Sequence, residues 1–130
     1  MRRILMSLVL GCVVLAFAAP LFAANPGDVL VGQDVVLRIR YPAGGYTVEQ
    51  RADAVMQRIN NLLGARPFSP SDVTVAQRNG EWVVLIGNEL IITADSATAK
   101  YNHTTPQQLA EIWANNLRVA IPKAKNPSVG

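Results

Sequence analysis

Residues able to carry acid–base, nucleophilic or metal chemistry are few in this sequence and stand far apart. His103 is the only histidine and Cys12 the only cysteine. A zinc site takes three or four histidine, cysteine or carboxylate ligands, so this pair does not indicate a metal centre. His103 stands between Asn102 and Thr104, neighbours typical of a loop, and is predicted to be solvated. The sequence predicts no metal and no other cofactor.

The carboxylates, serines and paired glycines favour no catalytic arrangement either. All nine Asp and Glu residues fall at predicted turns, helix starts or polar helix faces, not at apolar positions that would raise a carboxyl pKa. No serine lies in a Gly-x-Ser-x-Gly motif. The spacing around Gly44-Gly45 matches neither a phosphate-binding loop nor a dinucleotide fingerprint. We therefore expect that the protein is not an enzyme.

The first 24 residues have the pattern of an export signal. Arg2-Arg3 precedes the uncharged apolar run Ile4–Phe22, and small residues follow, so cleavage is expected between Ala18 and Ala24. The run is also long enough to span a bilayer, which makes an N-terminal membrane anchor a second interpretation. Lipidation at Cys12 is a third. We expect a secreted or periplasmic protein with no direct membrane span after signal cleavage.

The charge balance gives no indication of a nucleic-acid partner. The chain carries a net charge of +3 from twelve basic and nine acidic residues. Removal of Arg2-Arg3 with the signal would leave ten basic residues against nine acidic ones. No Lys/Arg cluster then remains that suits nucleic acid or an anionic membrane face, so neither is expected as a partner.

The stretch Asp34–Tyr41 has the alternation of a half-buried strand. Apolar or aromatic side chains recur at every second position, and charged ones lie between them. Pro42–Gly45 then breaks the strand. The side chains predicted to face inward are Val35, Leu37, Ile39 and Tyr41, and those predicted to face outward are Asp34, Arg38 and Arg40.

Residues 47–63 are predicted to form an amphipathic helix. Thr47 and Gln50 have the spacing of a capping box, in which both side chains satisfy free backbone N–H groups. Gly64 supplies the predicted stop. The apolar stripe comprises Val48, Ala52, Val55, Met56, Ile59, Leu62 and Leu63, and the polar side Glu49, Arg51, Asp53, Gln57, Arg58, Asn60 and Asn61.

A second helix is predicted over residues 105–121, after a loop over 96–104. Thr105 and Gln108 form another capping box, with Pro106 at the first helical position. The residues after it, 122–130, are predicted to be a flexible polar tail because proline at 122 ends the helix. The apolar stripe comprises Leu109, Ile112, Trp113, Leu117, Ala120 and Ile121, and both tryptophans, Trp82 and Trp113, are predicted to pack in the core.

Two tight turns organise the segment between the helices. Asn79-Gly80 favours a type I′ turn and Gly87-Asn88 a type II′ turn. The predicted product is a three-stranded antiparallel meander of Asp72–Gln77, Glu81–Ile86 and Glu89–Ala94. Because such turns fix the register, Val84 is expected opposite Val75 and Ile91, and Val83 opposite Ala76 and Ile92.

These elements predict a single α+β domain over residues 25–121. In the order β-α-β-β-β-α, a mixed four-stranded sheet is covered on one face by two helices, as a two-layer sandwich. The middle strand of the meander is apolar on both faces, so one apolar strip is expected to lack a helix. That strip is either Val83, Leu85, Leu90 and Ile92, or Val73, Val75, Val84 and Ile91.

The capped helices and the meander together resemble a known bacterial module. The residues that carry the likeness are Glu49–Ala52, Gly87-Asn88 with Ile91–Thr93, Asp95–Ala97, and Leu109–Ala114. They are similar to the N-terminal periplasmic module that precedes the membrane region in some small-conductance mechanosensitive channel proteins, over roughly residues 29 to 121. The resemblance implies a free-standing accessory domain without a pore.

Two functional expectations follow from the sequence. The first is a module for protein–protein association, either with itself or with an envelope or membrane protein, because monomers seldom expose a contiguous apolar patch. Its predicted interaction face is Val83, Leu85, Leu90 and Ile92. The alternative is a binding module for a small ligand or a cell-wall glycan, with Tyr46, Tyr101, Asn102 and His103 as its ligand loop.

Overall fold

The computed structural model describes residues 25–125 and shows two small antiparallel sheets with three helices. The predicted α+β class is confirmed, but the single mixed four-stranded sheet is wrong. In chain order the elements are β1 (Asp28–Val31), β2 (Asp34–Arg38), α1 (Val48–Ala65), a short 3₁₀ turn (Pro70–Asp72), β3 (Val73–Arg78), β4 (Glu81–Ile86), β5 (Glu89–Thr93), α2 (Ser96–Tyr101) and α3 (Pro106–Lys125).

The first strand of the prediction finds its partner locally rather than in the meander. β2 pairs antiparallel with β1 through a two-residue turn at Gly32-Gln33, in which Gly32 has φ +63°. Gly32 tolerates this conformation because it lacks a Cβ. Since β1 already pairs with β2, no crossover to the meander is needed, and the two sheets stay separate.

A bulge in β2 changes which of its side chains are buried. The register passes from Val29↔Leu37 to Leu30↔Val35, which leaves Val36 as the extra residue. Val36 and Leu37 are consequently both buried, while Val35 is 36% exposed. The predicted inward direction is therefore wrong for Val35, and also for Tyr41, which lies beyond the strand and is 37% exposed.

The meander forms with both predicted turns. β3 and β4 have the expected register, with Val75 opposite Val84 and Ala76 opposite Val83. Between β4 and β5 the register holds only for Ile86↔Glu89 and Leu85↔Leu90. A bulge then places Ile92, not Ile91, opposite Val84, and both isoleucines are buried as a result.

Both predicted capping boxes are present. The Thr47 hydroxyl accepts from the Gln50 N–H at 3.1 Å, and the Gln50 side chain accepts from the Thr47 N–H at 2.9 Å. Thr105 and Gln108 repeat the arrangement at the start of α3, with both distances at 3.1 Å. Gly64 lies inside the last turn of α1, which continues to Ala65 rather than stopping at 63.

Two predictions in the C-terminal third are wrong, namely the loop over residues 96–104 and the end of the last helix before Pro122. The expected loop contains α2, whose first turn is capped by the Asp95 carboxylate accepting from the Thr98 N–H at 2.7 Å. Helix α3 passes through Pro122 and ends at Lys125. Its last turn is held against the β1–β2 turn, since Lys123 pairs with Asp34 at 3.3 Å and Ala124 packs on the core.

Helix α3 joins the two sheets. It contacts β1 and β2 as well as β3 and β4, whereas α1 contacts β1 and β5. Alanines at three of its buried positions allow a close approach to the strands. The buried side chains of α3 itself are Leu109, Ala110, Trp113, Ala114, Leu117, Ala120 and Ile121. Trp113 is thus in the core as predicted, and Trp82 packs against the core half-buried.

Candidate functional site

The sheet face predicted as an interaction surface is mostly buried. Of the predicted strip Val83, Leu85, Leu90 and Ile92, the first two are 2% and 7% exposed, Leu90 is half-buried, and the bulge places Ile92 in the core. The helices cover the alternative strip, since Val73, Val84 and Ile91 belong to the core and Val75 packs against it. A role for Val83, Leu85, Leu90 and Ile92 in association stays a prediction, and the well-exposed apolar side chains lie elsewhere.

The four residues of the predicted ligand loop are exposed but do not share one cleft. Tyr46 lines a cleft beside α1, and Asn102 lines a different groove beside α3. Tyr101 packs edge-on to Tyr41 at 6.3 Å between ring centroids. His103 is exposed and has φ +56°. These positions divide the predicted ligand loop between two surfaces.

A buried arginine of α1, Arg51, forms hydrogen bonds both with the loop after β2 and with the segment between β5 and α2. Arg51 is 7% exposed, and its Nη1 donates to the Asp95 carboxylate at 3.0 Å and to the Tyr41 carbonyl at 2.8 Å. Its Nη2 donates to the Thr93 carbonyl at 3.2 Å. Asp95 also caps α2 through Thr98, so one ion pair fixes the end of β5, the start of α2 and the loop after β2.

Arg51 and Arg58 lie one helical heptad apart on α1, and both reach the outer edge of β5. Arg58 Nη1 donates to the Ile91 carbonyl at 2.9 Å. The sequence interpretation placed both arginines on the polar helix side, which is wrong for Arg51. The spacing itself was the missed signal, because Arg51 and Arg58 each stand three residues after an apolar stripe residue, Val48 and Val55, and so flank the stripe on one side.

The first cleft, which we call the Tyr46 cleft, lies between α1, the edge of β5 and the loop before α1. Its volume is about 290 Å³. Tyr46, 50% exposed, stands at its wall, and Arg58 and Glu81 bring opposite charges to its lining. Because Arg51 is already paired with Asp95, the lining has hydrogen-bonding groups but little net charge. Such a lining suits a neutral polar molecule.

The second concavity, which we call the β2–α3 groove, runs between the outer edge of β2 and the N-terminal half of α3. Its volume is about 370 Å³. Val35 and Ile112 line it with their side chains 36% and 50% exposed. The charged residues in its lining are Arg38 and Arg40. Arg38 is 3.7 Å from the Asp28 carboxylate, so the groove is apolar with a positive charge that comes mainly from Arg40.

The backbone of β2 is accessible from this groove. The backbone N–H and C=O groups of Leu37 and Ile39 point toward β1. Leu37 pairs with Val29, and the Ile39 N–H donates to the Gly27 carbonyl at 2.8 Å. Arg38, between them, directs its N–H and C=O to the opposite side. On that side Asn116 Nδ2 of α3 donates to the Val36 carbonyl at 2.9 Å. Within residues 25–125 no strand pairs with this edge.

An aromatic pair extends the groove at one end. The Arg40 guanidinium lies 4.6 Å from the centre of the Tyr101 ring, a cation–π distance. Tyr101 is 53% exposed and contacts Tyr41, itself 37% exposed. Ile112 was predicted to lie in the core stripe, and its exposure corrects that prediction. The exposed apolar surface thus lies largely beside β2 and α3.

Two further observations concern residues 25–125 only. In that range, His, Cys, Asp and Glu side chains do not come together in threes to form a site for a metal ion. The helices there are too short or too polar to cross a membrane. The predicted signal segment, residues 1–24, and the last five residues of the predicted tail lie outside the described range.

Comparison with known proteins identifies a family. A family profile described as Domain of unknown function (DUF8459) matches residues 28–124, which span β1 to the last turn of α3. Neither the curated proteins nor the solved structures yield a match.

Proposed function

Because the chain belongs to the DUF8459 family, whose description assigns no activity, we propose its function from the surface that it exposes. It is an exported, non-catalytic module that docks a partner protein in the β2–α3 groove. The observation that carries this proposal is the juxtaposition of exposed apolar side chains, Val35 and Ile112, with two arginines and a strand edge.

The groove favours an extended partner segment with apolar and acidic side chains. A strand laid beside β2 would bond to the outward backbone groups of Arg38, in the manner of β-strand addition. Its apolar side chains would cover Val35 and Ile112, which are partly exposed to water in the free protein. Its carboxylates would face Arg38, whose side chain is 57% exposed, and Arg40.

We propose a partner in the cell envelope because the sequence resembles the periplasmic module of mechanosensitive channel proteins. The likeness covers the two capped helices and the meander, and α3 contacts β2 as well as the meander strands β3 and β4. The partner is then an envelope or membrane protein with an exposed acidic segment. The predicted export signal at residues 1–24 fits the same compartment.

Peptide titration of the isotope-labelled protein tests the docking groove. The probes are a synthetic peptide that alternates valine with glutamate and one of equal length that alternates valine with lysine. The acidic peptide should shift the amide resonances of Val35, Arg38 and Asn116, and the basic peptide should not. Equal shifts with both peptides, or none with either, would overturn the proposed groove chemistry.

Two matched variants of α3 distinguish binding in the groove from non-specific binding to exposed apolar residues. Ile112→Ser should weaken binding of the acidic peptide by about tenfold, the loss expected for one apolar side chain that binding would cover. Val119→Ser changes another exposed apolar residue of α3, 71% exposed, which is not in the groove lining, and should leave the affinity unchanged. A similar loss in both variants would point away from the groove.

The Tyr46 cleft supports a second candidate function, the binding of a small neutral ligand such as a cell-wall glycan. Its opposed Arg58 and Glu81 and its exposed tyrosine ring suit the hydroxyls and the apolar face of a sugar. N-acetylglucosamine oligomers should raise the melting temperature of the wild type and of Tyr101→Ala, but not of Tyr46→Ala. No shift in the wild type would eliminate this candidate.

A further inference from the structure

The outer edge of β3 exposes backbone groups that lack a strand partner. The two-residue turn at Asn79-Gly80 makes Arg78 and Glu81 the pair that exchanges hydrogen bonds next to the turn. By alternation, Val73, Val75 and Gln77 direct their N–H and C=O groups away from β4. Across residues 25–125 no other strand pairs with that side of β3.

Arginine side chains from the helices cap the outer edge of β5 and the first residue of β3. On β5, Arg58 and Arg51 donate to the carbonyls of Ile91 and Thr93 at 2.9 and 3.2 Å. On β3, Arg118 donates through Nε and Nη2 to the Val73 carbonyl at 3.1 and 2.8 Å. These bonds confirm that the Val73 carbonyl points away from β4. Because this carbonyl is already occupied, another strand can pair only with the part of β3 after Val73.

We propose that β3 pairs antiparallel with β3 of a second copy of this chain, around a two-fold axis at Ala76. Val75 of each copy then lies opposite Gln77 of the other, and each of these two pairs exchanges two hydrogen bonds. The two three-stranded sheets become one continuous sheet of six strands. This inference concerns another surface and does not rest on the proposed groove.

The register follows from the side chains of β3. Ala76 meets its own copy in a non-hydrogen-bonded pair, where Cα atoms approach to about 4.5 Å and a small side chain fits best. A register centred on Val75 would instead require hydrogen bonds to Val73, whose carbonyl already accepts two bonds from Arg118. The cap therefore favours the axis at Ala76.

The charges at the two ends of the strand complement each other in this register. Arg78 lies opposite Thr74 of the second copy and diagonal to Asp72 of the second copy on the same face. Diagonal residues of paired strands are about 7–8 Å apart at their Cα atoms, within reach of an arginine side chain. Two such Arg78–Asp72 contacts form by symmetry, and within residues 72–78 no like charges lie directly opposite each other.

Light scattering on size-exclusion fractions tests the pairing with one disruptive variant and its control. The wild-type chain should reach the mass of a dimer as its concentration rises. Gln77→Pro removes the outward N–H without touching the bonds to β4, and should raise the dimer dissociation constant about tenfold or more, because two hydrogen bonds are lost per dimer. Gln77→Ala retains the N–H and should dimerise like the wild type.

Disulfide trapping tests the register even if the proline variant does not fold. In a Cys12→Ser background, Ala76→Cys should cross-link two chains under mild oxidation, because its Cα separation across the axis suits a disulfide. Thr74→Cys, on the same face but away from the axis, should not. A wild type that stays monomeric at high concentration, a folded Gln77→Pro that still dimerises, or cross-linking of Thr74→Cys in place of Ala76→Cys would overturn the proposal.

Discussion

Replacement of Arg51 by methionine should destabilise the protein more than any other single arginine substitution in α1. Methionine retains much of the apolar stem but removes both donor groups. Asp95, only 14% exposed, then lacks its partner, and the carbonyls of Tyr41 and Thr93 lose their donors. Removal of one partner from a buried pair typically costs about 3–5 kcal/mol.

A substitution of Asp95 shows how much of the stability lost in Arg51→Met comes from the ion pair itself. Asp95→Asn keeps an oxygen that can cap α2 through the Thr98 N–H, since asparagine and aspartate are equivalent N-caps. It removes only the charge that faces Arg51. The double variant Arg51→Met/Asp95→Asn should therefore recover part of the loss seen in Arg51→Met, giving a coupling energy of about 1–3 kcal/mol.

Urea unfolding followed by tryptophan fluorescence measures these differences. Trp113 is 3% exposed in the folded protein, so its emission should report global unfolding. Arg58→Met, which loses one carbonyl contact from a half-buried side chain, should cost about 1 kcal/mol. Arg38→Met removes an exposed side chain whose 3.7 Å contact with the buried Asp28 carboxylate is too long for a hydrogen bond, and it should cost about 1 kcal/mol or less.

Two results would contradict a stabilising interaction between Arg51 and Asp95. One is an Arg51→Met protein that loses less than about 1 kcal/mol, no more than an ordinary side-chain hydrogen bond contributes. The other is a double variant whose loss equals the sum of the two single losses, because additivity would mean that Arg51 and Asp95 do not interact.

Three further predictions concern the helices. Thr47→Ala should lower the unfolding free energy by about 1 kcal/mol, because it removes the capping hydroxyl, and Thr47→Ser should restore it; equal stability of all three proteins would contradict the cap. Leu117→Ala, at a fully buried position, should cost about 2–5 kcal/mol in urea unfolding, while Val119→Ala, 71% exposed on the same helix, should cost less than about 0.5 kcal/mol. Pro122→Ala should raise the melting temperature, because it restores a helix N–H and removes a ring clash worth up to about 3 kcal/mol; a lower melting temperature in calorimetry would show that α3 does not continue through this position.

The parts of the fold that the sequence predicted are those set by neighbours along the chain. A capping box needs residues three positions apart, and both boxes form with the expected bonds. A two-residue turn fixes the nearest strand pairs, and so Val75 lies opposite Val84 as predicted. Local chemistry of this kind is readable because the interacting groups are close in sequence.

The parts that the sequence did not predict depend on distant contacts. The bulge that places Ile92 opposite Val84 lets two consecutive isoleucines be buried, which strict alternation does not allow. Helix α3 continues past Pro122 because Lys123 and Ala124 find partners at the β1–β2 turn. Neither effect has a signal within a short window of sequence.

In the candidate site, too, the sequence predicted what depends on local residue type and not what depends on distant contacts. Tyr46 and Asn102 were selected as exposed polar or aromatic loop residues, and both do line concave surfaces, although different ones. Val35 and Ile112 were assigned to the core because their positions fit an apolar period. The bulge at Val36 turned one of them outward, and the other lies at the margin of the helix stripe. The groove they line could not be inferred without the placement of β2 beside α3.

Photo-cross-linking in the cells that make the protein tests its proposed docking function most directly. A photoreactive phenylalanine analogue is placed at Val35, in the β2–α3 groove, or at Val119, exposed on α3 but not part of the groove lining. Docking in the groove predicts that the Val35 variant cross-links to a defined protein through an acidic segment, that charge reversal at Arg38 and Arg40 abolishes the product, and that the Val119 variant gives none. The same products from both positions, or products from Val35 that persist after charge reversal, would contradict it.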